Sequence, residues 1–269
     1  MLASVIISTY NSPEWLKKVL IGYSIQTYKD FEVIIADDGS DNSTKVIIEE
    51  FKNIFTSLIH VWHEDNGFRK CEILNKAIVA SSSPYLIFTD GDCIPRKDFV
   101  ETHITNRKRK HFLSGGYFKL PLSISQDITP YDIQTQNCFD LKWLRKKKLP
   151  YSFKNQKLST YKGFLRILNA LTTTKPTWNG HNASGWKEDI LAINGFDERM
   201  KYGGEDREMG ERLLNNSILP IQIRYKAICI HLDHARGYVN KRDWELNNAI
   251  RRQTKKNKSI WTIHGIDKV

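Results

Sequence analysis

The sequence predicts an α/β protein: a mostly parallel, Rossmann-like sheet flanked by helices. Three observations carry this. Short apolar, β-rich runs alternate with stretches of helical period over the first hundred residues. The connections between them are short, as strand–helix crossovers require. Three of the apolar runs end in polar, Gly-bearing loops, where open α/β sheets place their ligands.

Taken in order, residues 2–8 read as the first strand, and Thr9-Tyr10-Asn11-Ser12-Pro13 as the loop after it. Ser12, Pro13 and Glu14 make a good helix start, with Pro at the first helical position. Trp15, Leu16, Val19, Leu20 and Tyr23 then recur at helical spacing. Residues 31–36 form a second strand that ends in Asp37-Asp38-Gly39-Ser40-Asp41. A helix over 42–51 and a strand over 59–62 follow. Asn66-Gly67 breaks the chain before a helix over 68–80. The run 85–88 is a buried strand that stops at Asp90-Gly91-Asp92 and is closed off by Pro95.

From 108 to 177 the pattern is weaker. Gly115-Gly116-Tyr117 suggests a strand entering the site, and 125–175 reads as an insertion with some helix. A polar, Gly-rich segment, 178–186, closes on Trp186 and leads into an amphipathic stretch over 187–193. Asn194-Gly195-Phe196-Asp197-Glu198 and Gly203-Gly204-Glu205-Asp206 come next, the latter opening a helix to about residue 215. The last strand, 227–232, runs into His231-Leu232-Asp233-His234. The chain divides into 1–110, 111–235 and a basic tail over 236–269.

Composition narrows the function classes. No apolar run is long enough to span a membrane, and Val5-Ile6-Ile7 reads as a strand rather than part of a leader. Cys71, Cys93, Cys138 and Cys229 are scattered without a C-x-x-C pair, which predicts free thiols in a reduced, cytoplasmic setting. The net charge of +11 suits nucleic acid, an anionic membrane or a nucleotide-activated substrate. The excess sits in 107–110, 145–148 and 241–258, and aromatic and aliphatic residues interleave the second cluster, as at a membrane interface. This predicts peripheral attachment to the inner face of the plasma membrane. Acidic strand ends would repel phosphate backbones, so no nucleic-acid partner is expected. Neither a G-x-G-x-x-G after the first strand nor a Walker A sequence is present.

Several residues point to chemistry. Positions i and i+2 share a face of a strand, so Asp90 and Asp92 can share one target. Two hard oxygen ligands suit Mg²⁺ or Mn²⁺, which can also hold a diphosphate. A plain Asp-Gly turn is the alternative. Asp37 and Asp38 can accept from a base N–H or ribose hydroxyls, or cap the next helix. Neutral imidazoles at His231 or His234 can complete a metal site begun by Asp92. Capping accounts for one of Glu205 and Asp206 but not for both. The helix dipole is expected to keep Asp206 ionised, and Gly203-Gly204 to admit a ligand against the backbone.

The motifs at 5–11 (Val-Ile-Ile-Ser-Thr-Tyr-Asn), Gln26-Thr27-Tyr28, 31–40 and 90–92 resemble an inverting family-2 glycosyltransferase. The run from Asn194 to Asp206 resembles the C-terminal catalytic segment of β-galactosyltransferases and chondroitin-polymerase-like enzymes. The resemblance implies a GT-A fold with an acceptor-side subdomain, a nucleotide-sugar donor (a UDP-sugar by expectation), Mn²⁺ or Mg²⁺, and a glycan or lipid-linked acceptor. By it, Thr9, Tyr10 and Asn11 lie at the base, and Asp37 or Asp38 contacts base or ribose. Arg69 lies near the nucleotide, and Asp90 and Gly91 near ribose and diphosphate. Trp186 joins this donor set. Asp92 with His231 or His234 holds the metal, Asp206 is the catalytic base, and Glu205 orients hydroxyls. The rival within the fold is a catalytically silent sugar-binding protein; intact Asp92 and Asp206 weigh against it. Surface polysaccharide or lipopolysaccharide assembly is the implied pathway.

Overall fold

Aliphatic residues fill the middle of Ala3–Thr9 (β1) and Phe31–Asp37 (β2), at 5–7 and 33–36, and every residue of both strands is buried, Ser4, Ser8, Glu32 and Asp37 included. Strands buried on both faces belong to a sheet covered on both sides. In the computed structural model, which describes residues 1–235 and 240–268, they lie at the centre of a seven-stranded sheet. Leu58–Trp62 (β3) and Tyr85–Asp90 (β4) complete the parallel set, with order β3-β2-β1-β4. Three helices connect these strands: Pro13–Ser24 (α1), Asn42–Phe51 (α2) and Lys70–Ala80 (α3). The fourth strand runs two residues beyond the expected boundary, so Asp90 is its last residue and Asp92 lies in the turn after it.

Beyond β4 the sheet changes character. Cys93–Pro95 (β5) leaves it, Phe99–Asn106 (α4) crosses over, and His111–Ser114 (β6) returns. The expected strand at Gly115–Tyr117 is Gly116–Lys119 (β7). The insertion is mainly helical: Leu122–Asp127 (α5), Pro130–Gln134 (α6), Leu141–Lys146 (α7) and Lys162–Leu171 (α8). Ala183–Trp186 (β8) then pairs antiparallel with both β4 and β6. Lys187–Ala192 (α9), Glu205–Asn215 (α10), Leu219–Gln222 (β9) and Ile228–His231 (β10) follow.

A second, three-stranded sheet of order β5-β10-β7 positions the site. Strand β10 pairs antiparallel with β5 and parallel with β7, aligning His231 with Cys93 and Lys119. Leu232 N–H donates to the Asp92 carbonyl at 2.9 Å, pinning the end of β10 against the Asp90-Gly91-Asp92 turn. Asn182 ties the two sheets together. Its amide donates to the Gly116 and Ala227 carbonyls, and its oxygen faces the ring of buried His103.

The basic stretch after residue 240 is not a free tail. Lys241–Asn257 (α11) packs on α10, with Arg251 paired to Glu211 and Thr254 Oγ1 donating to Glu208. Residues 262–268 fold back onto the 194–198 loop, where Thr262 binds Asp197 and Asn194 donates to the Thr262 and Asp267 carbonyls. Arg236 to Val239, also within the expected tail, lie outside the described residues. Among the described residues no helix is long and apolar enough to cross a membrane, and all four cysteines are free and buried.

Candidate active site

The carboxyl ends of β1, β2 and β4 open onto one cleft, because parallel strands place all their C-terminal loops on the same edge. Glycine at 91 allows β1 and the 90–92 turn to touch. Gly91 N–H donates to the Ser8 carbonyl at 2.7 Å, and a Cβ there would lie 3.0 Å from that oxygen. Beside it the Thr9 hydroxyl is buried without a hydrogen-bond partner. Asp90 and Asp92 divide their work. Asp90 accepts from Ser8 Oγ at 2.7 Å and from Lys70 Nζ at 2.6 Å. Burial would raise the Asp90 carboxyl, but the Lys70 ammonium outweighs it and holds the group well below the usual carboxylate range.

Asp92 faces the end of β10. His234 Nε2 lies 2.9 Å and His231 Nε2 3.6 Å from its Oδ2. Each histidine donates its Nδ1 proton to a backbone carbonyl at 2.8 Å, His231 to that of Leu232 and His234 to that of Ala235. With Nδ1 so engaged, Nε2 is the ring atom that each histidine turns toward the Asp92 carboxylate. The three ligand atoms lie within 4.8 Å of one another, and one oxygen with two imidazole nitrogens suits Mn²⁺ better than Mg²⁺. The residues fit a divalent ion, and both histidines face Asp92 where the sequence left a choice between them.

The opposite wall is the start of α10. Gly203 and Gly204 hold positive φ, +110° and +96°, which a side chain would strain. Space at Gly203 is taken by the protein itself: a Cβ there would meet Trp244 of α11 at 2.4 Å, so this glycine serves helix packing rather than ligand approach. Glu205 accepts from Gly203 N–H, and Asp206 from Gly180 and Arg207 N–H. Burial, then the adjacent Asp206 charge, raises Glu205 to about 7. Burial also raises Asp206, so desolvation overrides the helix dipole that was expected to dominate. A carboxylate kept from the lowest pKa range is a better proton acceptor.

Lys70 joins the two walls. Burial opposes its charge, but Asp90, Glu205 and Asp206 together outweigh that and raise its pKa. One ammonium thus feels carboxylates from both halves of the chain. The sequence reading chose its neighbour Arg69, whose guanidinium instead turns to Glu72 and the Glu64 carbonyl. Lys70 begins α3 at the strand-end edge, and that placement was the available signal. His181 was also missed. Its ring packs 4.6 Å from Tyr117, and burial, against the pull of Asp90, lowers it to about 4.

The remaining expected residues separate into two groups. Tyr10, half exposed at the mouth, donates to Asp65, while Asn11 ties the first loop to the second through Ser40 and Asp41. Asp37 and Asp38 are buried and internally engaged, Asp37 with His60 and Ser40 N–H, Asp38 with His63 and Arg69 N–H. They shape the loop edge. Trp186 lies at the wrong end of the sheet. It pairs with Tyr85 at the start of β4, stacks under Arg109 and donates to the Lys108 carbonyl. Asp197 is held by Arg199 and Thr262, and Glu198 by Asn75 and Lys268, so neither faces the cleft as a base.

The strand-end edge thus gathers the Asp92–His231–His234 cluster on one side and the raised carboxylates Glu205 and Asp206 on the other. Residues 4–166 match the model of glycosyl transferase family 2, and residues 173–235 match the N-terminal domain of galactosyltransferase. The chain belongs to glycosyl transferase family 2. It is 26% identical to validoxylamine A glucosyltransferase of Streptomyces hygroscopicus subsp. jinggangensis, over 88% of this chain and 57% of that protein. It is 27% identical to chondroitin synthase of Escherichia coli, over 78% of this chain and 32% of that protein. The chain thus spans less than two thirds of these curated relatives. Two solved structures show the same GT-A fold. Staphylococcus aureus TarS 1–349 in complex with UDP-GlcNAc matches with a TM-score of 0.65 at 17% identity, over 96% of this chain and 69% of that one. Mannosyltransferase PcManGT of Pyrobaculum calidifontis, in complex with GDP-Man and Mn²⁺, matches at 0.60 and 18%, over 96% and 64%.

Proposed function

We propose that this glycosyltransferase moves a sugar, with inversion, from a nucleotide-diphosphate donor to a hydroxyl of a glycan or glycolipid. A UDP-sugar donor and a role in surface polysaccharide or lipopolysaccharide synthesis fit best. The observation that carries this is Lys70, one cation within the field of Asp90 at the strand end and of Glu205 and Asp206 on α10. That shared cation supports reading the strand-end edge as the donor side and Asp206 as the base of one site. The neighbours' complexes with UDP-GlcNAc and GDP-Man, and the polysaccharide-forming relative, support the reading.

Thr9, Tyr10 and Asn11 border the base end of the cleft. Asp92, His231 and His234 would hold Mn²⁺ or Mg²⁺, which when bound neutralises charge on a leaving diphosphate. Asp206, fixed by the Gly180 and Arg207 N–H groups, takes the proton from the acceptor hydroxyl at its carboxylate oxygen. The acceptor oxygen, as it loses that proton to Asp206, attacks the anomeric carbon opposite the leaving group. The bond from that carbon to the phosphate oxygen breaks, its electron pair leaving with the diphosphate. Glu205 orients sugar hydroxyls. A panel of nucleotide sugars with Mn²⁺ tests this by thermal shift and slow donor hydrolysis. One donor should both stabilise the protein and be hydrolysed only with metal. Binding without turnover on any acceptor would favour the silent sugar-binding alternative, and no response to any donor would overturn the reading.

We further propose that the enzyme works at an anionic lipid surface. Tyr151, Phe153, Tyr161 and Leu171 are exposed in the helical insertion, and the Arg145 guanidinium of α7 lies over the Tyr151 ring. Each Lys or Arg near such a surface contributes about 1 kcal/mol. Co-sedimentation should show binding to anionic vesicles that high salt releases; equal binding to neutral vesicles would count against it.

A further inference from the structure

We infer that the cleft beside Tyr117 is an acceptor subsite for an oxyanion, so the natural acceptor carries a phosphate or a carboxylate near its attacking hydroxyl. The proposal rests on the sugar-transfer reading above but concerns a separate set of residues. A cleft of about 460 Å³ lies between β7, residues 149–157 and the end of β10. Four cations, Lys119, Lys154, Lys157 and Arg224, line it against one carboxylate, Asp233. That carboxylate is already paired with Lys119 at 2.8 Å.

Lys157 is the unusual member. It is 8% exposed, and its ammonium donates to the Tyr117 carbonyl at 2.9 Å and lies 5.3 Å from the Tyr117 ring centroid. Among the described residues no carboxylate pairs with Lys157, Lys154 or Arg224. Burying a lysine next to an arginine without a counter-ion is costly, and burial followed by Arg224 lowers Lys157 to about 8. An oxyanion placed between the two would offset both the buried charge and the repulsion, with Arg224 able to bind it through two N–H groups.

The location ties the cleft to the reaction. The Tyr117 ring forms its inner edge and lies 5.6 Å from the His231 ring and 4.6 Å from that of His181. An anion held by Lys157 and Arg224 therefore sits across Tyr117 from the metal ligands, separate from Lys70 and Asp90. A cationic pocket flanking a metal site could also serve the donor diphosphate, and the test must separate these.

Binding to the full chain is measured with chelator present, so that the metal site does not compete. The probes are glucose 1-phosphate, glucuronate and methyl glucoside. The two anions, or one of them, should bind and methyl glucoside should not. Preference for glucose 1-phosphate assigns a phosphorylated acceptor, and preference for glucuronate an acidic glycan. Arg224→Gln and Lys154→Gln, both outside the core, should each weaken anion binding several-fold, and Lys157→Gln by about tenfold or more. UDP affinity with Mn²⁺ should change less than twofold in all three. Anion affinity unchanged in Arg224→Gln, or no anion binding to the wild type, overturns the proposal. A parallel loss of UDP affinity also overturns it, by assigning these cations to the donor. Failure of the wild type to bind UDP with Mn²⁺ would instead count against the sugar-transfer reading, whatever the anion result.

Discussion

Asp206→Asn is expected to lower transfer by about 10²–10⁴-fold, the usual worth of general-base help, while donor affinity hardly moves. The amide keeps the size of the side chain, but with one oxygen it can hold only one of the two bonds, that from Gly180 N–H to Oδ2 or that from Arg207 N–H to Oδ1. Its main loss is basicity. Burial raises both Asp206 and Glu205, Glu205 to about 7, so the pair passes to its fully ionised form near neutral pH. The rate should therefore fall on the acid side of about pH 7 as the pair gains a proton. Glu205→Gln removes one of the two like charges. Any activity it keeps should show the acid limb moved to lower pH, because Asp206 then ionises without a charged neighbour. Rate–pH profiles of the three proteins decide this. Near-wild-type transfer in Asp206→Asn with an inactive Glu205→Gln would exchange the two roles, and full activity in both would place the base elsewhere.

Asp92→Ala is expected to abolish Mn²⁺-dependent nucleotide binding and, with it, turnover. Asp92 supplies the only carboxylate oxygen of the Asp92–His231–His234 cluster. Without it two neutral imidazoles remain, and even loss of a residue that merely supports a metal ligand costs about 10–100-fold in metal affinity. Calorimetric titration of Mn²⁺ and UDP, with and without chelator, measures this. UDP affinity in Asp92→Ala that still depends on Mn²⁺ as in the wild type would remove Asp92 from the metal site. His231→Ala and His234→Ala should each give a weaker form of the same loss.

Much of this architecture was written in local pattern. The short apolar runs at 5–7, 33–36 and 85–88 specified strands of a parallel sheet, and the polar loops after them located the ligand edge, because apolar patterning and turn chemistry are local properties. The helix at Glu205 was legible with the same boundaries for the same reason. Trp186 shows the limit: a tryptophan at the end of a Gly-rich segment looks like a stacking platform, but antiparallel pairing of β8 with β4 carries it to the far end of the sheet. Strand direction is set by the whole topology and leaves no mark on the residue itself.

The sequence alone determined the strand–helix alternation, the Asp90-Gly91-Asp92 turn, the Glu205–Asp206 pair and the family resemblance they carry. Tertiary structure alone decided which charges meet. It set Lys70 against Asp90 and Arg69 against Glu72, turned both His231 and His234 toward Asp92, and buried Asp206 deeply enough to offset the helix dipole. It also made a packed helix of the basic stretch after residue 240 and gathered Lys157 and Arg224 beside Tyr117. Electrostatic pairing and desolvation depend on distances between residues far apart in the chain, and only the folded sheets establish those distances.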